Sequence, residues 1–160
     1  MKVNDILGND YEIDCIGCAL ANNILVPVGG IIKETENFIL HQDPEVPIKG
    51  FLVIASKYHI KSIAELSKSQ AVEFFELCYD ARVALISFGD IIECTFIQEE
   101  RSGHFHFWIL PRYEWMNGLF ENSLSSIRSL MKYAEENLKT EKNIEDIKMS
   151  VEHLKLLLNE

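Results

Sequence analysis

No apolar run in this 160-residue sequence approaches the roughly 20 residues that span a bilayer. The N-terminus, MKVNDILGND, lacks the basic and apolar parts of a signal peptide. A soluble, cytoplasmic protein with no membrane partner is therefore expected. Cationic side chains are scarce: 15 Lys and Arg stand against 25 Asp and Glu, a formal net charge of −10. A surface of that sign repels phosphate backbones, which argues against a nucleic-acid partner. A small phosphorylated ligand is still acceptable to a site that gathers cations of its own. There are only four prolines, and no low-complexity linker or internal repeat. What is present in quantity is core material, 48% hydrophobic and 10% aromatic, enough for one packed unit of ordinary size.

Cysteines are few as well: Cys15, Cys18, Cys78 and Cys94. In a reducing compartment the close pair, Cys15-Ile16-Gly17-Cys18, suits a metal site or a redox pair better than a structural disulfide. The isolated Cys78 and Cys94 read as small core residues.

Along the chain, the part up to about Ser56 reads as short strands broken by turns. Candidates are Ile24–Val28, Asn37–His41 and Phe51–Ser56, with Asp43–Gly50 as a loop. Ser67 and Gln70 match a capping box, and apolar residues at helical spacing predict a helix from Lys68 to Ser87 before Gly89. Two strands follow, Ile91–Ile97 and His104–Leu110, the second ended by Pro111. Ser123 onward suits a helix. Asn143 with Asp146 can cap another, with Ile144, Ile147, Val151, Leu154 and Leu158 as one stripe.

The stretch GHFHFWILPR carries the chemistry. Side chains alternate faces along a strand, so His104, His106, Trp108 and Leu110 share one face while Phe105, Phe107 and Ile109 share the core face. Residues two apart lie roughly 6.6 Å from one another. A neutral imidazole with a pKa of about 6.5 is largely free base at neutral pH and can carry a phosphoryl or nucleotidyl group. From spacing alone, a catalytic strand and a core strand with incidental histidines are equally open.

His104-Phe105-His106-Phe107-Trp108-Ile109-Leu110-Pro111-Arg112 resembles the signature of the histidine triad (HIT) family, His-x-His-x-His, two apolar residues, then often Pro-Arg. Upstream, KGFLVIASKYHIKSIAEL resembles the family's Gly-His-apolar strand and its Lys-x-His-x-x-Ser-x-x-x-Leu segment. CIGC resembles the Cys-x-x-Cys of many bacterial members. The resemblance covers about Asp14 to Arg112. It implies an α+β fold, a five-stranded antiparallel sheet with a long helix, commonly dimerised through that helix and an edge strand. Residues 1–115 would form this domain, and residues 116–160 a helical extension packed on it. It also implies nucleotide hydrolysis or nucleotidyl transfer, on a nucleoside phosphate or dinucleoside polyphosphate, with His106 as the nucleophile. Zinc-bearing members use the Lys-x-His histidine and the first triad histidine beside the cysteine pair. The implied structural zinc site is thus Cys15, Cys18, His59 and His104, and a reactive thiol pair is the alternative.

Three features depart from the pattern. Trp108 stands in the third triad place, Phe51 follows the upstream glycine where a histidine is usual, and Glu99-Glu100-Arg101-Ser102-Gly103 replaces the usual Gly-Gln. An indole N–H donates but cannot accept or relay a proton. Two readings follow. The protein turns over a nucleotide whose leaving group needs no protonation, or it is a zinc-stabilised nucleotide-binding or interaction module without turnover. Substrate contacts are expected from Asp43 toward ribose hydroxyls, from Gln98 at its strand end, from Arg101 and Ser102 toward phosphate, and from Trp108. Lys57 and Arg112 flank the site as phosphate-facing or solvated cations.

Overall fold

The computed structural model describes residues 1–160. A two-stranded ribbon, β1 (Lys2–Asn4) and β2 (Asp10–Glu12), precedes a short helix α1 (Ile16–Ala21). Five further strands form one antiparallel sheet: β3 (Ile31–Glu34), β4 (Phe38–Gln42), β5 (Leu52–Ser56), β6 (Glu93–Gln98) and β7 (His106–Arg112), in the order β3-β4-β5-β7-β6. The long helix α2 (Lys68–Leu85) links β5 to β6. Helices α3 (Ile127–Asn137) and α4 (Glu141–Leu158) close the chain. This is the expected α+β architecture. No helix is long and apolar enough to cross a membrane.

Local chemistry sets the elements. Ser67 and Gln70 form the capping box that starts α2, each satisfying a backbone amide of the other's residue. Gly89, at φ 77°, ends the short turn beyond it. Thr140, rather than Asn143, caps α4; its hydroxyl accepts from the Asn143 amide, while the Asn143 side chain donates to Pro47 O and Leu138 O. Ile24–Val28 is not a strand. Its Leu25 amide bonds back to Ala19 O behind α1 and Pro27 has no N–H to give, so the segment wraps the helix end instead of joining the sheet. Nor does Pro111 end its strand. β5 stops opposite Ile109, so β7 runs on to Arg112 with β6 alone as its neighbour there.

The two faces of the sheet have different covers. Phe105, Phe107 and Ile109 face α2, where Phe74 makes edge-to-face contacts with Phe105 and Phe107 at 5.4 and 5.2 Å between centroids. Cys78 is buried in this cluster with Cys94 packed against it. Helix α4 lies alongside α2 and β3. Its Ile147, Val151 and Leu154 are each 0% exposed. Val151 and Leu154 join the core between sheet and α2 while Ile147 packs on Ile6 and Val28, each burial contributing roughly 2 kcal/mol to holding the helix in place. The opposite face is shared. Helix α1 packs Ala19 and Leu20 on Ile39 and Ala55, and α3 packs Leu130 and Ala134 over Phe51 and Leu110. Between these two covers the sheet face is open.

Candidate functional site

The open face is reached by strand register. Ala55 pairs with His106 and with Ile39. One step along, Val53 pairs with His41 and with Trp108. These residues point the same way. With α1 and the loop after β4 they enclose a pocket of about 330 Å³, lined among others by His41, Asp43, Ser102, His106 and Trp108. No Lys or Arg lines it, whereas Asp14, Asp43 and Glu45 do.

At one end four side chains converge. Cys15 at the N-cap of α1, Cys18 within it, His59 from the loop after β5, and His104 just before β7 place one donor atom each within 4.8 Å of the others. Cys15 Sγ lies 3.5 and 3.3 Å from Nδ1 of His59 and His104, and Cys18 Sγ 3.2 and 3.6 Å from the same atoms. The two nitrogens are 3.3 Å apart. A zinc tetrahedron with Zn–S near 2.3 Å and Zn–N near 2.0–2.1 Å has S···N edges of about 3.5 Å and N···N edges of about 3.3 Å. The cluster therefore fits zinc. His104 Nε2 donates to Ser56 O at 2.9 Å, which fixes the tautomer and turns the Nδ1 lone pair toward the thiols. Burial also lowers the His104 pKa, favouring the neutral, ligating form. Gly17 makes the approach feasible. A Cβ there would sit 2.3 Å from His104 Cδ2, so any larger residue would push α1 off the imidazole.

The next histidine is set by the same segment. His106 Nδ1 lies 2.9 Å from His104 O and 3.2 Å from Ser102 Oγ. A carbonyl only accepts, so Nδ1 carries the proton and Nε2 is the free base. Nε2 has no protein partner, and the ring lines the pocket. Trp108 stands beside it, 5.5 Å between centroids, and is backed edge-on by the fully buried Phe51 at 5.6 Å.

Asp43 caps the following loop. Its Oδ1 accepts from the Glu45 and Val46 amides, and burial pushes its pKa up to about 6. Glu45 is raised to about 7 by burial and by Asp43. Because the folded pKa of Asp43 lies above the unfolded value, the stability it supports is full below about pH 4 and is lost as pH rises through about 6. Asp43→Asn keeps the Oδ1 acceptor and removes the buried charge. The variant is expected to gain stability at pH 7.5, by up to about 3 kcal/mol at 1.36 kcal/mol per unit, and little at pH 4. Thermal melts of both proteins from pH 4 to 8 check this.

Gln98 is not at this site. It pairs with Phe107 and so lies on the α2 face, away from His106. Arg101 is exposed on the Glu100–Ser102 turn and does not line the pocket, whereas Ser102 does. Lys57 is paired with Glu34 at 2.6 Å. Arg112 is neither solvated nor phosphate-facing. It is 5% exposed and donates to Asn117 Oδ1, Ser123 Oγ and the carbonyls of Phe120 and Glu121, tying β7 to the chain that leads into α3. Two residues escaped the sequence reading. Gly17 sat unremarked inside the cysteine motif, and His41 looked like one more histidine on an apolar strand.

No protein-family model matches the chain, and a search of curated proteins finds no match. Solved structures do match. A Hit-like protein involved in cell-cycle regulation from Bartonella henselae superposes with TM-score 0.58 at 17% identity, covering 92% of this chain and 99% of that one. A HIT family member from Bacillus subtilis gives 0.57 at 17% identity, over 78% and 97%. A Zn-bound histidine triad family protein from Mycobacterium smegmatis gives 0.56 at 16% identity, over 91% and 94%. The chain has the HIT-type fold: a five-stranded antiparallel sheet with helices on both faces.

Proposed function

We propose that the protein is a nucleotide hydrolase or nucleotidyl transferase of the histidine triad type, acting through a covalent nucleotidyl-His106, with a structural zinc on Cys15, Cys18, His59 and His104. The observation that carries this reading is the His106 tautomer. Its Nδ1–H is committed to His104 O, leaving the Nε2 lone pair at the pocket wall. In the first step that lone pair attacks the α-phosphorus of a nucleoside phosphate or dinucleoside polyphosphate. A P–N bond forms, the P–O bond to the leaving group breaks, and the leaving group departs with the electron pair. The positive charge that develops on the ring is stabilised by the Nδ1–H···O=C bond. In the second step water or another acceptor oxygen attacks phosphorus, loses its proton to solvent or a pocket carboxylate, and the P–N electrons return to Nε2. Zinc, when bound, supplies the fixed point that holds His104.

Trp108 shapes the substrate range, since it cannot protonate a departing alkoxide or amine. Phosphate-type leaving groups, already anionic, suit such a site. The same indole also favours a second reading, binding without turnover. Incubation with a nucleotide labelled at the α-phosphate, quenched in alkali because phosphohistidine bonds fail in acid, separates them. Label retained on the protein at position 106 supports turnover. Bound nucleotide that never transfers label supports the binding module.

A homodimer belongs to the same proposal. Val72, Phe75, Tyr79 and Val83 on α2, with Ile86 just past its end, form an exposed stripe, and the exposed Phe96 lies on the edge strand β6, its ring tilted against Phe107. Phe75→Glu is expected to convert a dimer into a monomer, as read by light scattering on a sizing column.

A further inference from the structure

The pocket holds one buried polar atom that nothing in the protein satisfies. His41 is 0% exposed and lines the pocket, and its Nε2 has no hydrogen-bond partner. Its Nδ1 lies 2.8 Å from Gln42 O, so the proton sits on Nδ1 and Nε2 is an acceptor. Leaving such an acceptor dry and unpaired costs about 1–3 kcal/mol. Burial drives the ring pKa down to about 4, so the imidazole stays neutral at physiological pH rather than charging to relieve the deficit. The second oxygen of Asp43, two residues on, accepts no hydrogen bond from the protein either, since Oδ1 takes both loop amides. One wall of the pocket is thus made of acceptors. Across Val53, two strand spacings or about 10 Å away, stands Trp108, and Ala55 lies on the floor between them. A flat ring lying on that floor meets the indole on one side and the acceptors on the other.

We propose that His41 Nε2 is a specificity-determining acceptor for the exocyclic amino group of a nucleobase, so that the site selects nucleotides with an amino-bearing base over those without one. This deepens the nucleotide reading and rests on it. His41 is among the residues that line the pocket, so its Nε2 is the unpaired acceptor within the pocket wall. An isosteric ligand without the donor leaves the His41 Nε2 acceptor unpaired, and a site built this way rejects it strongly.

The test is equilibrium binding of adenosine monophosphate against its 6-desamino purine analogue, and of cytidine against uridine monophosphate, to wild type and His41→Phe. Wild type is expected to prefer the amino-bearing member of each pair by tenfold or more, and the Phe variant to show no preference. Equal binding by wild type, or a preference that survives in the variant, overturns the proposal. Because a buried substitution can disturb folding, protein labelled with ¹⁵N-histidine provides a second readout. The His41 Nε2 resonance moves upfield when it accepts a hydrogen bond. Free adenine should move it and free purine should not; equal response to both also overturns the proposal. If no nucleotide binds but adenine moves the resonance, the nucleotidyl-transfer reading fails while the amine acceptor stands.

Discussion

Replacing His106 by Ala is expected to reduce nucleotide cleavage by about 10³-fold or more while changing nucleotide affinity little, the pattern of a residue engaged only as the reaction proceeds. The reasoning is geometric. His106 is half-buried on β7, so truncating it opens little core. Its Nδ1 bonds reach Ser102 and a carbonyl of its own segment, which keep other contacts without it. Loss of the ring therefore removes the nucleophile and leaves the pocket walls of Asp43, His41 and Trp108 standing. Steady-state rates with a dinucleoside polyphosphate, set beside calorimetric affinity for a product nucleotide, separate the two effects. Cleavage at the wild-type rate in the variant would remove His106 from its proposed role.

Cys15→Ser is expected to bring the metal content from about one zinc per chain to near zero and to lower stability by several kcal/mol, or about 10 °C for a domain of this size. The lever is long because Cys15 does two jobs. It is one corner of the four-donor cluster, and as the N-cap residue of α1 its sulfur accepts from the Cys18 amide. Without the metal, burial and the neighbouring Cys15 hold the Cys18 pKa up, so only weak thiol–imidazole hydrogen bonds remain to hold these groups 3.2–3.6 Å apart. Release of His104 would also free the carbonyl that orients His106, so turnover should fall with the metal. Atomic-emission analysis and thermal melts decide it. Cys78→Ser serves as the control, with unchanged metal content. Wild-type protein isolated free of zinc, with all four thiols titratable, would argue against a structural metal.

Much of this was legible in the chain. The strand alternation around His106 and the capping box of α2 depend only on local periodicity, which the residues state directly. The cysteine pair stood out by its spacing, but its two histidine partners, His59 and His104, were implied only by the family resemblance. What escaped were facts of register and depth. Gln98 and His106 lie on neighbouring strands, but whether they share a face depends on how β6 pairs with β7, and the observed register sends Gln98 to the α2 side. Arg112 looked like a surface cation because its acceptors, Asn117 to Ser123, come from a segment with no regular pattern. Pro111 continues a strand because a neighbouring strand ends early. His41 became distinctive only once its burial and its missing partner were visible.

The edge-to-face contact of Phe51 with Trp108 couples the two positions, so neither side chain can be exchanged independently of the other. A histidine at 108 alone would shrink the side chain facing the buried phenyl ring of Phe51 and leave a gap. A histidine at 51 alone would place a polar ring at a fully buried position against the indole. Neighbours in contact do not contribute additively, so exchanging both residues together is expected to change stability by an amount different from the sum of the two single exchanges.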